Sequence, residues 1–150
     1  MNMIEPRTRI QPNFVELRQR FETLDNGPKA ELRRAASLEH IADIPAYYRW
    51  LGGGAPSAGL QRIAFLVPFV AHDAQAESLG RQLFKRKVSE MRLFQMLRSE
   101  SPHDLEHLRR LLRYLDQPRL NWERFGRTIF YWRPNNKRSI LQEYFTTEAN

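Results

Sequence analysis

Five leucines behind a proline constrain this chain more than any other feature. Leu105, Leu108, Leu112 and Leu115 recur at intervals of three and four, and Leu111 widens the stripe. The pattern begins directly after Ser101-Pro102. Ser101 suits an N-cap, Pro102 the first helical position, and Asp104 the positive end of a helix dipole. Leu93, Phe94 and Leu97 form a shorter stripe behind Ser89. Ser78–Leu115 is thereby committed to amphipathic helices, each of which must bury one face against another element.

The same period recurs elsewhere. Phe14, Leu17, Phe21 and Leu24 predict a helix after Asn13, closed by a left-handed Asn26 or Gly27, with Pro28 opening the next. Ser37 caps a further turn, and Asp43-Ile44-Pro45 starts a segment ending in Tyr47, Tyr48 and Trp50. Gly52-Gly53-Gly54-Ala55-Pro56 is a loop; with no Lys-Ser/Thr pair behind it and no strand ahead, it is not a phosphate-binding P-loop. Ser57 opens a strongly apolar helix through Leu60, Ile63, Ala64, Phe65 and Val67, kinked at Pro68 and suited to the centre of the core. After the polar link His72–Glu77 and the helices already described, Trp122, Phe125, Ile129 and Trp132 predict a helix closed by Arg133-Pro134-Asn135-Asn136. Ile140, Leu141, Tyr144 and Phe145 predict a last one, with Thr146–Asn150 fraying. No segment alternates as a strand does. The expectation is an all-α, compact multi-helix bundle: a flexible arm over 1–12, then one domain over 13–150 with two packed helical lobes, 13–75 and 76–150.

Charge narrows the function. The chain carries 24 Lys+Arg against 17 Asp+Glu, and the excess lies in the second half, where 76–150 hold fifteen basic and nine acidic residues. From Ser78 to Leu115 there are nine basic residues and four acidic ones, chiefly arginine. Planar guanidinium forks match phosphate oxygens, so an arginine-studded helix pair reads as a nucleic-acid surface. The alternative is a solvated face laced with pairs such as Glu106 to Arg110. With no cysteine, disulfides, thiolate metal sites and a cysteine nucleophile are excluded. His103-Asp104-Leu105-Glu106-His107 spells H-x-x-E-H, yet a metallopeptidase needs a further carboxylate ligand that the sequence does not suitably supply. No catalytic residue, metal site or cofactor is expected. Tyr47, Tyr48, Trp122, Tyr131 and Trp132 could stack on unpaired bases, but their place on or beside apolar stripes favours packing. Met1–Asn13 lacks a signal-like apolar core and the longest apolar run is too short for a bilayer, so the expected setting is cytoplasmic, with no membrane partner.

Six blocks in order carry a resemblance: Leu24-Asp25-Asn26-Gly27 with Ala30 and Leu32-Arg33-Arg34; Asp43 to Tyr48; Ser78-Leu79-Gly80-Arg81; Arg92 to Arg98; Leu108 to Leu112; and Asn121-Trp122 through Trp132. Over about Phe14 to Phe145 the chain resembles the CasB family, the small subunit of the type I-E CRISPR Cascade surveillance complex. The resemblance implies a non-catalytic, all-helical protein in two lobes. It also implies two copies head to tail inside a guide-RNA complex, contacting both the target strand and the displaced strand of the R-loop. The implied partners are guide RNA, target DNA, a second copy of this chain, the subunits that coat the guide and the large subunit. The family's basic positions fall on Arg34, Arg92, Arg98 and Arg110, and on Lys137 and Arg138 beyond a spacing altered by Pro134-Asn135-Asn136. Charge alone adds Arg81, Lys85, Arg86, Lys87 and Arg109. A free-standing basic helical module that binds nucleic acid or protein is the competing reading.

Overall fold

The computed structural model of the chain describes residues 11–149, and residues 1–10 of the expected arm lie outside that range. Among the described residues the fold is helical: α1 (Phe14–Thr23), α2 (Asn26–Arg33), α3 (Pro45–Leu51), α4 (Ala58–Leu66), α5 (Leu79–Lys85), α6 (Glu90–Arg98), α7 (His103–Leu115), α8 (Trp122–Tyr131) and α9 (Pro134–Ala149). Side chains of Asn13, Ser57, Ser78, Ser89 and Asn121 cap α1, α4, α5, α6 and α8 by accepting first-turn amide hydrogens. The sequence marks four of these starts; Ser78 opens a separate helix, so Ser78–Leu115 holds three helices where two patterns are read from the sequence.

Several junctions differ from the expectations. The α1–α2 turn uses extended backbone at Leu24 and Asp25, and Gly27 lies inside the first turn of α2 with no atom near its missing Cβ. No left-handed residue is needed there; a glycine takes that conformation at Gly52, which ends α3. Ser101 does not cap α7, which begins at His103 with no side-chain cap. Asp104 is turned inward instead, and its carboxylate is spent on tertiary partners. Pro134 opens α9 directly, and that helix holds through Thr146 to Ala149 where fraying was expected. A two-residue parallel pair also appears, β1 (Ala71–His72) with β2 (Arg119–Leu120). Two residues are too short to show alternation, which is why no sequence pattern marks them.

One connected core runs through the molecule. It includes Trp50, Phe65, Ile63, Leu83, Leu93, Leu108, Leu112 and Trp122. As the sequence implies, α4 is central: Ile63 to Leu66 are all buried, and α8 and α2 pack on it. Two buried indoles satisfy their N–H groups on distant backbone, Trp50 on the Leu17 carbonyl at 2.9 Å and Trp122 on the Val70 carbonyl at 2.9 Å. From the second half, α8 lies against α1 and α4 of the first. In the second half α9 runs along α5 and also packs on α6, while α6 packs on α7. Gly80 sets how closely α5 and α9 approach. A Cβ there would collide with the Ile140 carbonyl oxygen and Glu143 Cβ.

Candidate nucleic-acid interface

The leucines that drive α6 and α7 together also decide where their arginines point. Leu93 and Met96 are buried on α6, and Leu105, Leu108, Leu111, Leu112 and Leu115 on α7. A residue three or four positions away shares a helix face, whereas a neighbour one position away is rotated by about a hundred degrees. Arg110 and Tyr114 therefore share one exposed face of α7. Arg92, in the first turn of α6, reaches the same face: its guanidinium carbon lies 5.2 Å from the Tyr114 ring centroid. Arg86 meets that ring from the end of α5, at 5.6 Å. Arg110 touches His107 Nδ1 at 3.3 Å and, among the described residues, forms no ion pair with a carboxylate. The Glu106 to Arg110 pair expected of a solvated face is not formed. Glu106 lies instead 3.5 Å from His103 Nδ1.

The other sequence-marked cations sort into four groups. Arg98 stacks over Phe94 at 5.3 Å, and Phe94 packs on Phe145 of α9 at 6.2 Å between ring centroids. Arg34 is exposed at the end of α2, Lys87 is exposed just beyond α5, and exposed Arg138 bonds Asn135 Oδ1 at 2.8 Å. Arg81 and Lys85 share Glu77 as counter-ion, at 2.9 and 2.7 Å. Those bonds hold the Glu77 carboxyl below its ordinary value.

Two of the expected contacts are committed to the fold. Arg109 donates to the Ala35 carbonyl at 2.6 Å and to that of Ala36 at 3.4 Å, with its guanidinium 4.3 Å from the Phe65 ring centroid. Burial pulls its pKa down from the ordinary arginine value, helped by Arg113 nearby. Lys137 is held further inside. Its ammonium lies 2.7 Å from Asp104 Oδ2 and donates to the Ser99 carbonyl at 2.9 Å, with only 12% of the side chain exposed. Neither cation is free for a phosphate. On α9 Lys137 faces inward, while Arg138, one position on, points out.

Tyr114 is what sequence reasoning missed. It sits beside the leucine stripe, two residues after Leu112, and is not among the aromatics that the sequence singles out. Its exposure of 43% and its place four residues after Arg110 are the signals that set it apart. Of the aromatics considered for stacking, Tyr47 and Trp122 are buried, and Tyr48 is exposed with its hydroxyl donating to the Ala42 carbonyl. Among the described residues no cluster of three His, Asp or Glu side chains is placed to hold a metal. No helix among them is long and apolar enough to cross a membrane.

Three similarities place this geometry among known proteins. The family described as CRISPR-associated protein Cse2 matches residues 28–145. The CRISPR system Cascade subunit CasB of Escherichia coli strain K12 is 31% identical over 153 residues, spanning 91% of this chain and 95% of the relative. A chain in the crystal structure of E. coli Cascade bound to a PAM-containing dsDNA target superposes with a TM-score of 0.84 at 30% identity, covering 94% of this chain and all of that one.

Proposed function

This chain belongs to the CRISPR-associated Cse2 family, and from that membership we propose that it is a non-catalytic nucleic-acid-binding subunit of a CRISPR guide-RNA surveillance complex. In this reading it stabilises the R-loop through the backbones of the target and displaced strands. Its neighbours are a second copy of itself, guide-coating subunits and a large subunit, and the complex works in the cytoplasm. The observation that carries the proposal is the exposed face shared by Arg92 and Arg110. Both guanidiniums are presented by rigid, leucine-anchored helices, and among the described residues neither is paired with a carboxylate. Arg34 and Arg138 extend the set of exposed cations on other elements.

The physics suits a role without chemistry. Exchanging a DNA duplex for an RNA–DNA heteroduplex is nearly balanced in free energy, so contacts to the backbone tip it. Such contacts carry no sequence information, and a subunit of this kind needs no base-reading groups. The test is target-DNA binding by the reconstituted complex carrying Arg92→Ala and Arg110→Ala, at several salt concentrations. Assembly on guide RNA should survive and affinity should fall about equally on any matched target. Each lost single-strand contact should flatten the slope of log K against log salt by about 0.7. Unchanged affinity and slope would show these arginines to be a solvated face. Tight duplex binding by the isolated chain would favour a free-standing module instead.

A further inference from the structure

We propose that Tyr114 is a positioning residue that holds Arg86 and Arg92 as a paired clamp for the phosphates of one unpaired nucleic-acid strand; this rests on the function proposed above. The two arginines come from opposite ends of a tight junction. Arg86 ends α5, Lys87 takes a left-handed conformation with φ of 63°, and Ser89 caps α6, so Arg92 returns to Arg86 within a few residues. Both guanidiniums then meet the same ring, at 5.6 and 5.2 Å from its centroid. They are thus separated by no more than those two distances laid end to end, a span suited to neighbouring phosphates on one strand.

The tyrosine is fixed at both edges of this arrangement. Its hydroxyl donates to the Arg86 carbonyl at 3.2 Å, and Arg86 Nη1 donates to the Leu115 carbonyl, next to Tyr114, at 3.1 Å. These bonds tie the α5 end to the α7 end, leave the ring 43% exposed, and engage only one nitrogen of the exposed Arg86, whose Nε and Nη2 make no hydrogen bond among the described residues and remain for a phosphate. No carboxylate among the described residues forms an ion pair with Arg86 or Arg92. A flexible arginine loses rotamer freedom when it grips a phosphate, whereas one already stacked on a ring has less to lose. The ring also attracts each cation through its quadrupole, so it holds the pair in place without adding charge. Tyr114 thereby differs from the arginines it serves: it should set affinity without setting the salt dependence.

That difference supplies the test. Complexes reconstituted with Tyr114→Leu, Tyr114→Phe and Arg92→Ala would be titrated with a target strand alone and with the full duplex target, at several salt concentrations. Tyr114→Leu should weaken binding by about fivefold, because ordering the two freed arginine side chains becomes a cost of binding. Its salt slope and its assembly on guide RNA should match wild type. Tyr114→Phe keeps the ring and should restore most of the affinity, because the ring and not the hydroxyl orients the guanidiniums. A deficit on the strand alone identifies the clamped strand as the target strand, and one confined to the duplex target identifies the displaced strand. Wild-type affinity in Tyr114→Leu overturns the clamp, as does Tyr114→Phe binding as weakly as Tyr114→Leu. If Arg92→Ala also leaves affinity and slope unchanged, the proposed nucleic-acid face fails with it. If Arg92→Ala weakens binding and Tyr114→Leu does not, only the clamp fails.

Discussion

Replacing Lys137 with methionine should unfold this protein more readily and leave its nucleic-acid contacts to other residues. Lys137 Nζ and Asp104 Oδ2 are 2.7 Å apart, with side-chain exposures of 12% and 2%. The same carboxylate accepts from Trp132 Nε1 at 2.8 Å and from the Leu105 amide at 2.7 Å. One buried anion thus joins the first turn of α7, the α8–α9 link and the start of α9. Methionine fills a similar volume but strands the carboxylate without its counter-charge, and breaking a buried pair from one side costs about 3–5 kcal/mol. For a chain of this length each kcal/mol moves the melting temperature by about 2–4 °C, giving a fall of about 6–20 °C. Circular dichroism melts and urea titrations would measure it. The double variant Asp104→Leu, Lys137→Met removes both charges and should melt above the sum of the single losses. It should still fall short of wild type by about 1–3 kcal/mol, because the Trp132 indole N–H loses its acceptor. If Lys137→Met melts like wild type and instead flattens the salt slope of target binding, Lys137 is a phosphate ligand and the buried-pair argument is refuted.

Two further substitutions test the α5–α9 seam. Gly80→Ala should destabilise by about 1–3 kcal/mol in a urea titration, because the added methyl strikes α9 backbone and overpacking outweighs the gain in helix propensity. Wild-type stability would mean the seam can open. Burial raises the Glu143 carboxyl above the ordinary glutamate value of 4.5, against opposing contributions from the Gly80 amide and Arg124. Because the folded pKa lies above the unfolded one, this group's contribution is full below the unfolded value and is lost as pH rises through the folded value. Glu143→Gln keeps an oxygen for the Gly80 N–H, 3.0 Å away, and should flatten the decline in urea midpoint on going from acid to neutral pH. An identical pH profile for the two proteins would contradict the burial.

What was legible follows from how far each signal reaches along the chain. Apolar spacing and caps are local, and they placed α1, α4, α6, α7 and α8 because burial of one helix face is written every three or four residues. Gly27 misled because a glycine between helices permits a left-handed turn but does not require one, and Leu24 and Asp25 made the turn with extended backbone. Side-chain roles were harder because they depend on the partner helix. Arg109 and Arg110 are adjacent and chemically identical, and both follow the leucine stripe. Rotation by a single residue puts Arg109 against Phe65 and the Ala35 carbonyl, and Arg110 into solvent. The same one-residue step separates Lys137 from Arg138. Charge counting treats the members of each pair alike, but an arginine or lysine whose hydrogen bonds are spent inside the fold would have to break them before it could hold a phosphate. A basic sequence therefore overstates its interface by the cations that the fold has already taken. In this chain the exposed cations left over sit on an outward helix face, as Arg110 and Arg138 do, or at a helix end, as Arg34 and Arg86 do.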